Sequence, residues 1–274
     1  MPRKLGRPKE RDVRELRRPV AAPERREEAQ GEAQARPSGI RHAHAREAVE
    51  KMIRYTLAQH EGLRLLVLGD SRQGKSTFMN FLNSMLTAHV AAVFVHDAKY
   101  QVPQYRYDFK VRNLDELTPE HGGVIEVFDR PMTTTPNDIA DLVCALGLQK
   151  TMTVCEVDEV MSVVGDNSRA FAGGESSRLA FLYKQGGGMG ASVVVLAQLP
   201  QNVPVTILTL SQFVVIHRLS SKALAYCEKD CDLSDDAMTV AASLEPGQFI
   251  IHERGGDPWD RTIYTTPREF IVNR

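Results

Sequence analysis

Short apolar runs alternate with amphipathic stretches along most of the chain, and the short runs predict strands buried on both faces. They lie at Leu63–Gly69, Ala91–Asp97, Gly123–Phe128, Thr151–Glu159, Ala191–Gln198, Ser211–Ser220 and Gly247–Glu253. Helical spacing of apolar residues predicts helices at Arg46–Gln59, Gly74–Ala88, Asn137–Leu148 (with Asn137 as the cap), Glu175–Gln185, Lys222–Cys231 and Ser234–Leu244. This alternation predicts an α/β fold, with a mostly parallel sheet covered by helices on both faces.

The first 43 residues differ from the rest of the chain. They are rich in Arg, Glu, Ala and Pro and poor in large apolar side chains, so we predict a disordered arm ahead of one domain at residues 44–274. Net charge is −1 overall, but residues 1–50 hold 13 basic and 9 acidic side chains. A basic arm favours an anionic partner, and a solvated tail is the alternative. Within it, Lys4–Lys9 (KLGRPK) weakly resembles the AT-hook, which lies in the minor groove of DNA.

Several classes of protein are not indicated. No run of 18 apolar residues predicts a membrane span, and no apolar leader predicts secretion. Cys227 and Cys231 form a C-x3-C pair without the second pair or the histidine of a zinc site. We therefore expect no zinc, and all four cysteines are expected to be reduced thiols.

Gly69–Ser76 (GDSRQGKS) matches the phosphate-binding pattern G-x-x-x-x-G-K-[ST] at every fixed position. A predicted buried strand precedes the motif and a predicted helix follows it, as this loop requires. Its backbone N–H groups and the helix N-terminus attract phosphate oxygens. Lys75 is expected to reach the β- and γ-phosphates of ATP, and the Ser76 hydroxyl to ligate Mg²⁺. The expected nucleotide contacts are Gly69, Asp70, Ser71, Arg72, Gln73, Gly74, Lys75, Ser76 and Thr77.

An acidic motif ends the predicted strand Thr151–Glu159. A P-loop enzyme needs a carboxylate on a neighbouring strand to hold Mg²⁺, and Asp158 suits this role. Glu159 suits a general base that orients the attacking water. The alternative is a strand end with two exposed acids. Glu156 lies inside the strand, on the same side as Asp158, and has no assigned role.

The order of motifs over residues 62–252 resembles the HerA/FtsK superfamily of ring-forming DNA motors. After the P-loop and the acidic pair, the pattern continues with Asp97-Ala98-Lys99 after the second strand, Gln198 with Pro200, Arg218-Leu219-Ser220-Ser221-Lys222, and Gly247 before the last core strand. The Gln-x-Pro and Arg-x-Ser-Ser-Lys pairing is the most specific part. The resemblance implies a RecA-like P-loop ATPase, a homo-oligomeric ring (expected to be a hexamer), and double-stranded DNA as a partner.

The resemblance also implies residue roles. Gln198 would contact the γ-phosphate or the lytic water, while Arg218 and Lys222 would stabilise transition-state charge across a subunit interface. The alternatives are a polar strand end and a surface salt-bridge pair.

The chain departs from the family at one position. Three residues before Gly190, where relatives carry Arg, it has Gly187, within the glycine-rich turn QGGGMG, which is also a candidate hinge. Three alternatives follow: Arg218 or Lys222 acts alone between subunits, Arg178 or Arg169 replaces the missing Arg, or the active site assembles differently. Arg169 lies in the predicted loop Val164–Gly174, which could face a DNA channel.

A bare motor core resembles the genome-packaging ATPases of membrane-containing icosahedral viruses. We therefore expect ATP-driven packaging of double-stranded DNA into a preformed capsid, in the host cytoplasm or at the virion vertex. Capsid-vertex or viral membrane proteins are candidate partners. The alternatives are a cellular HerA-like or plasmid-transfer motor, a nucleotide-switched DNA- or capsid-binding protein without processive movement, and a vertex component with a mainly structural ATP site.

Overall fold

The computed structural model describes residues 40–58, 61–97, 106–118, 121–127, 135–159, 178–255 and 262–271. Within them lie ten strands: β1 Arg41–His44, β2 Arg64–Leu68, β3 Ala92–Asp97, β4 Phe109–Val111, β5 Gly123–Val127, β6 Thr153–Asp158, β7 Ser192–Ala197, β8 Phe213–Ile216, β9 Gln248–Glu253 and β10 Thr262–Thr265. The α-helices of the described residues are α1 Ala45–Ala58, α2 Lys75–Leu86, α3 Pro136–Leu148, α4 Arg178–Gln185, α5 Val205–Leu210, α6 Ser221–Cys231 and α7 Asp235–Ser243.

The strands form one sheet in the order β1-β10-β9-β8-β2-β7-β6-β3-β5-β4. Every pair is parallel except those that β9 makes with β8 and β10. Helices α1 and α2 pack on one face, around a core that includes Val49, Met52 and Phe78. Helices α3 to α7 pack on the other face, around a core that includes Ile139, Leu182 and Leu224. The predicted α/β fold, with a mostly parallel sheet and helices on both faces, is confirmed.

Strand β7 lies between β2, which leads into the P-loop, and β6, which ends in the acidic pair. All six of its side chains are buried, as expected for a strand with neighbours on both edges and helices on both faces. Because the three strands are parallel, their carboxyl ends meet at one edge of the sheet. This edge, which we call the P-loop edge, therefore collects the residues that follow β2, β7 and β6.

The seven predicted strands coincide with β2, β3 and β5 to β9, and the six predicted helices with α1 to α4, α6 and α7. Strands β1, β4 and β10 and helix α5 were not predicted. They have only three to six residues, too few to show a hydrophobic period.

The predicted cap of α3 is wrong. Thr135 caps this helix, with Thr135 and Asp138 forming a reciprocal capping box. Asn137 lies inside the first turn, and its Oδ1 accepts a hydrogen bond from the Leu179 N–H at 3.1 Å, which ties α3 to α4.

The glycine-rich turn joins α4 to β7 at the edge of the sheet opposite the P-loop edge. Gly190 has a φ of 72°, which favours glycine. A Cβ on Gly186 would come within 2.4 Å of the Leu182 carbonyl oxygen. By contrast, a Cβ on Gly187 would meet only Gly62 N, at 3.9 Å, and one on Gly188 would meet nothing within 4 Å. The turn thus requires glycine at two of its four positions.

Alanine at Gly186 and at Gly188 should therefore have opposite outcomes. Gly186→Ala should lower the free energy of unfolding by roughly 1–3 kcal/mol, because the backbone must move to relieve the overlap. Gly188→Ala, the matched control, should change it by less than about 0.5 kcal/mol. Urea denaturation of both variants measures this difference, and equal losses would contradict the geometry of the turn.

Candidate active site

The P-loop Gly69–Ser76 wraps around the N-terminus of α2, as predicted. Gly74 occupies the cap position with a φ of 101°, and no side chain caps the helix. The first turn of α2 therefore receives no hydrogen bond from the side chain of a cap residue. Arg72 also has a positive φ, 64°, so the loop bends sharply twice. Such a loop is a ready-made anion site, since backbone donors and the helix dipole both favour negative charge.

Lys75 is 93% buried at the start of α2, and its ammonium group donates to the carbonyls of Gly69 and Asp70, the latter at 3.0 Å. The charge is therefore held over the loop by main-chain oxygens. The loop is itself fixed to the neighbouring strand, because the Asp70 N–H donates to the Arg218 carbonyl at 3.0 Å.

His217 lies directly behind the P-loop and was not singled out from the sequence. It follows β8, is fully buried, and packs against both Phe78 and Phe249. A Cβ on Gly69 would come within 2.7 Å of the His217 Cβ, so the first glycine of the loop is needed for this contact. Burial, reinforced by the nearby Lys75 charge, lowers the pKa of His217 to about 3, so the imidazole is neutral at physiological pH. The sequence signal that could have identified this residue is a histidine directly after the apolar run Phe213–Ile216.

Gln198 contacts the P-loop directly. It follows the last residue of β7, and its Oε1 accepts a hydrogen bond from the Ser71 hydroxyl at 2.9 Å. Ser71 lies near the start of the phosphate loop, so the amide sits beside the place where phosphates would bind. The structure thus brings together two residues that the sequence separates by 127 positions.

The acidic pair lies two strands from the P-loop, at the same edge. Asp158 is 99% buried as the last residue of β6 and is level with Asp97 on β3. Glu159 follows with a φ of 56°, a left-handed conformation that non-glycine residues seldom adopt. Such a conformation costs about 1 kcal/mol or more and is concentrated at functional sites. Here it turns the chain sharply at the residue predicted to be the base.

Behind Asp158 lies a buried polar cluster made of Asp97, Tyr107, Asn83 and Glu156. The Tyr107 hydroxyl donates to Asp97 Oδ2 at 3.0 Å, and Asn83 Nδ2 donates to Glu156 Oε2 at 2.8 Å. Burial raises the pKa of Tyr107, and the nearby Asp97 charge raises it further. Burial also raises the pKa of Glu156, to about 8, and the charges of Asp158 and Asp97 add to this shift. Glu156 therefore links the acidic strand to α2, which carries the P-loop.

The predicted cationic residues lie in different places. Arg218 and Lys222 are exposed at the P-loop edge, after β8 and in the first turn of α6, and within the described residues neither makes an ion pair. Arg178 instead pairs with Asp141 at 2.8 Å, in an exposed contact between α4 and α3. Lys99, Arg169, the loop Val164–Gly174 and residues 1–39 of the arm, with its KLGRPK segment, lie outside the described residues. The predicted arm ends too late, because Arg41–Ala43 lie in β1 and pair with β10 as part of the sheet.

Ser76 and Asp158 supply a hydroxyl and a carboxylate, the oxygen ligands that Mg²⁺ prefers. Within the described residues, no group of three or more His, Cys, Asp or Glu side chains could hold a metal ion. In P-loop sites, Mg²⁺ is bound by one or two protein ligands together with substrate phosphates. All four cysteines are buried and free, and no described helix is long and apolar enough to cross a membrane.

The parallel sheet, the loop and α2 together have the fold of P-loop NTPases. The chain is similar in fold to the genome-packaging NTPase B204 of Sulfolobus turreted icosahedral virus 2. The TM-scores are 0.55 for its complex with ATP-γS and 0.54 for its complex with AMPPCP, each at 15% identity over 76% of this chain and 98% of that one. For the complex of the same protein with AMP, the TM-score is 0.52, and the match covers 74% of this chain and 96% of that one. The predicted resemblance to viral packaging ATPases is confirmed as a likeness of fold. No protein-family model and no curated protein matches the sequence.

Glu156→Gln tests whether this buried carboxyl is held in its neutral form. Its pKa rises from an ordinary 4.5 to about 8 on folding, so the folded state binds the proton more tightly. The wild type should therefore lose stability as pH rises from about 5 to 8, and the uncharged glutamine should escape this loss. The variant should gain roughly 3–4 kcal/mol relative to wild type over that range, because each pKa unit of the shift corresponds to about 1.4 kcal/mol.

Thermal unfolding from pH 5 to pH 9, without nucleotide or Mg²⁺, measures this difference. Glu228→Gln, an exposed glutamate on α6, is the matched control and should follow the wild-type profile. If Glu156→Gln and wild type run parallel across the whole range, Glu156 is not neutral in the folded protein.

Proposed function

We propose that this chain is an ATP-hydrolysing motor that moves double-stranded DNA and packages a viral genome into a preformed capsid. One observation carries the proposal of an ATPase. The order β2-β7-β6 brings the P-loop, Gln198 and the Asp158–Glu159 pair to one edge, with Gln198 hydrogen-bonded to the loop. The fold likeness to a viral packaging NTPase supports the more specific role.

Each residue of this edge has a proposed task. Lys75 exchanges its bonds to loop carbonyls for the β- and γ-phosphates, and the α2 N-terminus contributes backbone donors. Ser76 and Asp158 would hold Mg²⁺, and the bound ion would neutralise charge that develops on the phosphates. Glu159 orients the water that attacks the γ-phosphate. Gln198 lies between these groups and the segment that follows β7, so its contact with Ser71 can report phosphate release to that segment.

Arg218 and Lys222 are proposed to complete the site of a neighbouring subunit in a homo-oligomeric ring. Both side chains are exposed at the P-loop edge, and within the described residues neither is held by a carboxylate. Such a free cation can stabilise transition-state charge on a transferring phosphoryl group, where an arginine contributes about 10³–10⁵ in rate.

Glu159→Gln should bind ATP but hydrolyse it at least about 100-fold more slowly, because the amide keeps the shape of the side chain and loses the base. Wild-type turnover should rise when double-stranded DNA is added, and the rise should weaken with salt because phosphate contacts release counterions. Phosphate release with and without DNA, at two salt concentrations, measures both effects. The matched control is Glu245→Gln, which changes an exposed glutamate in the turn before β9 and should keep wild-type turnover.

The same assay, together with a measurement of DNA packaging into capsids, separates the alternatives. A single slow turnover without DNA stimulation would contradict a motor and favour a nucleotide-controlled switch. DNA stimulation without any packaging of DNA into capsids would leave a cellular or plasmid-transfer motor.

Mixed rings test the action of Arg218 between subunits. Subunits with Arg218→Ala and subunits with Lys75→Ala should each be inactive alone. Mixed together, they should recover part of the turnover, because some interfaces then pair an intact loop with an intact arginine. Turnover across a series of mixing ratios measures the recovery. If the mixtures only interpolate between the two inactive proteins, Arg218 acts on the loop of its own subunit.

A further inference from the structure

A cleft at the P-loop edge lies beyond the residues that the P-loop motif assigns. It has a volume of about 480 Å³ and lies between the end of β1, the start of α1 and the segment after β10. Its lining includes His44, Arg46, Glu47, Thr265, Pro267 and Glu269. This volume is within the range of small-molecule sites, roughly 300–1,000 Å³.

The sheet topology places this cleft at the same edge as the phosphate loop. Strand β9 is antiparallel to β8 and to β10, so β10 runs in the same direction as β8 and β2. Strand β1 is parallel to β10, with His44 opposite Thr265. The carboxyl ends of β2, β8, β10 and β1 therefore share one edge, and three strand spacings, about 14 Å, separate β2 from β10. An extended nucleoside triphosphate is long enough to bridge this separation.

Main-chain hydrogen bonds connect the loop to the wall of the cleft. The Gly247 N–H donates to the Gln73 carbonyl at 2.9 Å, and the Thr266 N–H donates to the Gly247 carbonyl at 3.0 Å. Gly247 also packs against the loop, since a Cβ on Gly74 would come within 3.0 Å of the Gly247 Cα. Thr266 lies between two residues that line the cleft, so loop and cleft are parts of one rigid edge.

The direction of a bound nucleotide follows from the residues on the other side of the loop. Gln198 and Glu159 follow β7 and β6, and they mark the side where the terminal phosphate would react. The nucleoside must then extend away from β7, across β8 and β9, toward β10 and the cleft. We infer that this cleft receives the ribose and base of the nucleoside triphosphate whose phosphates bind the P-loop.

The chemistry of the lining suits a nucleoside. The Arg46 guanidinium lies over the Phe81 ring, 5.9 Å from its centroid, which leaves its opposite face for a base. Glu47 and Glu269 accept hydrogen bonds from ribose hydroxyls or an exocyclic amine, and Pro267 adds apolar surface. This inference rests on the proposed nucleotide site, so its test must separate phosphate binding from nucleoside binding.

Inorganic tripolyphosphate provides that separation, because it carries the phosphates without a nucleoside. Thr265→Trp, which fills the cleft from the end of β10, should weaken ATP binding by about tenfold or more and leave tripolyphosphate affinity within about twofold. Arg46→Ala should weaken ATP alone by about two- to fivefold, the loss of one stacked cation. Isothermal titration of each variant with both ligands and Mg²⁺ measures the affinities.

Two matched controls accompany these variants. Thr262→Trp makes the same change at the other end of β10, and Arg54→Ala removes an exposed arginine two turns further along α1. Both should keep wild-type affinity for both ligands. Unchanged ATP affinity in Thr265→Trp would overturn the inference, and so would equal losses for ATP and tripolyphosphate. If the wild type binds neither ligand, the nucleotide site itself fails and the cleft inference falls with it.

Photolabelling gives a second readout that needs no substitution. The azido nucleotide 8-azido-ATP should label peptides that contain residues 41–47 or 262–270, and excess ATP should suppress the labelling. Suppressible labelling that maps only elsewhere would also overturn the inference.

Discussion

The register of β7 against β2 is the constraint on which the site depends. A Cβ on Gly62 would come within 1.8 Å of the Ala191 carbonyl oxygen, so the backbone segments that lead into β2 and β7 approach closely just before these strands begin. Leu63 N–H donates to Ser192 Oγ at 3.0 Å, and Val193 N–H donates to Leu63 O at 2.7 Å. The ladder then ends with Leu68 opposite Ala197. A slip of one residue would turn the buried side chains of β7 to the wrong faces and move Gln198 away from the loop.

Charge at the P-loop edge is arranged around this register. The loop side carries the buried Lys75 and the α2 N-terminus, while the β6 side carries Asp158 and the cluster behind it. The neutral His217 matters here, because a second buried cation beside Lys75 would be costly to desolvate and would repel the ammonium group. The neutral form of Glu156 acts similarly on the other side, since it avoids a further buried negative charge beside Asp158. Among the described residues, the edge thus has the buried cation Lys75 on the loop side of β7 and the buried carboxyl groups of Asp158 and Asp97 on the other side.

Most of the fold and much of the site could be predicted from the sequence, for a physical reason. Strands β2, β6 and β7 are buried on both faces, so their composition is mostly apolar, and the P-loop motif has fixed spacing. The features that could not be predicted depend on contacts between segments that are far apart in the sequence. The link from Gln73 through Gly247 to Thr266 joins segments separated by more than 170 residues and is made by main-chain atoms, which leave little trace in side-chain identity. Strand β1 could not be predicted because its four side chains are exposed and its pairing partner is near the other end of the chain.

The glycine turn constrains how subunits could share a site. It precedes β7, so Gly187 lies at the edge opposite the P-loop edge, where the Gly187 carbonyl accepts from Gly62 N–H. A basic residue at that position could reach only the phosphates of another subunit. Arg218, by contrast, lies at the P-loop edge, where its carbonyl accepts a hydrogen bond from the Asp70 N–H in the P-loop of its own subunit. With glycine at position 187, Arg218 and Lys222, which follow β8, are the exposed cations at the P-loop edge that we propose to act across an interface. A subunit interface that uses them must therefore bring two P-loop edges together, rather than the P-loop edge of one subunit and the opposite edge of its neighbour.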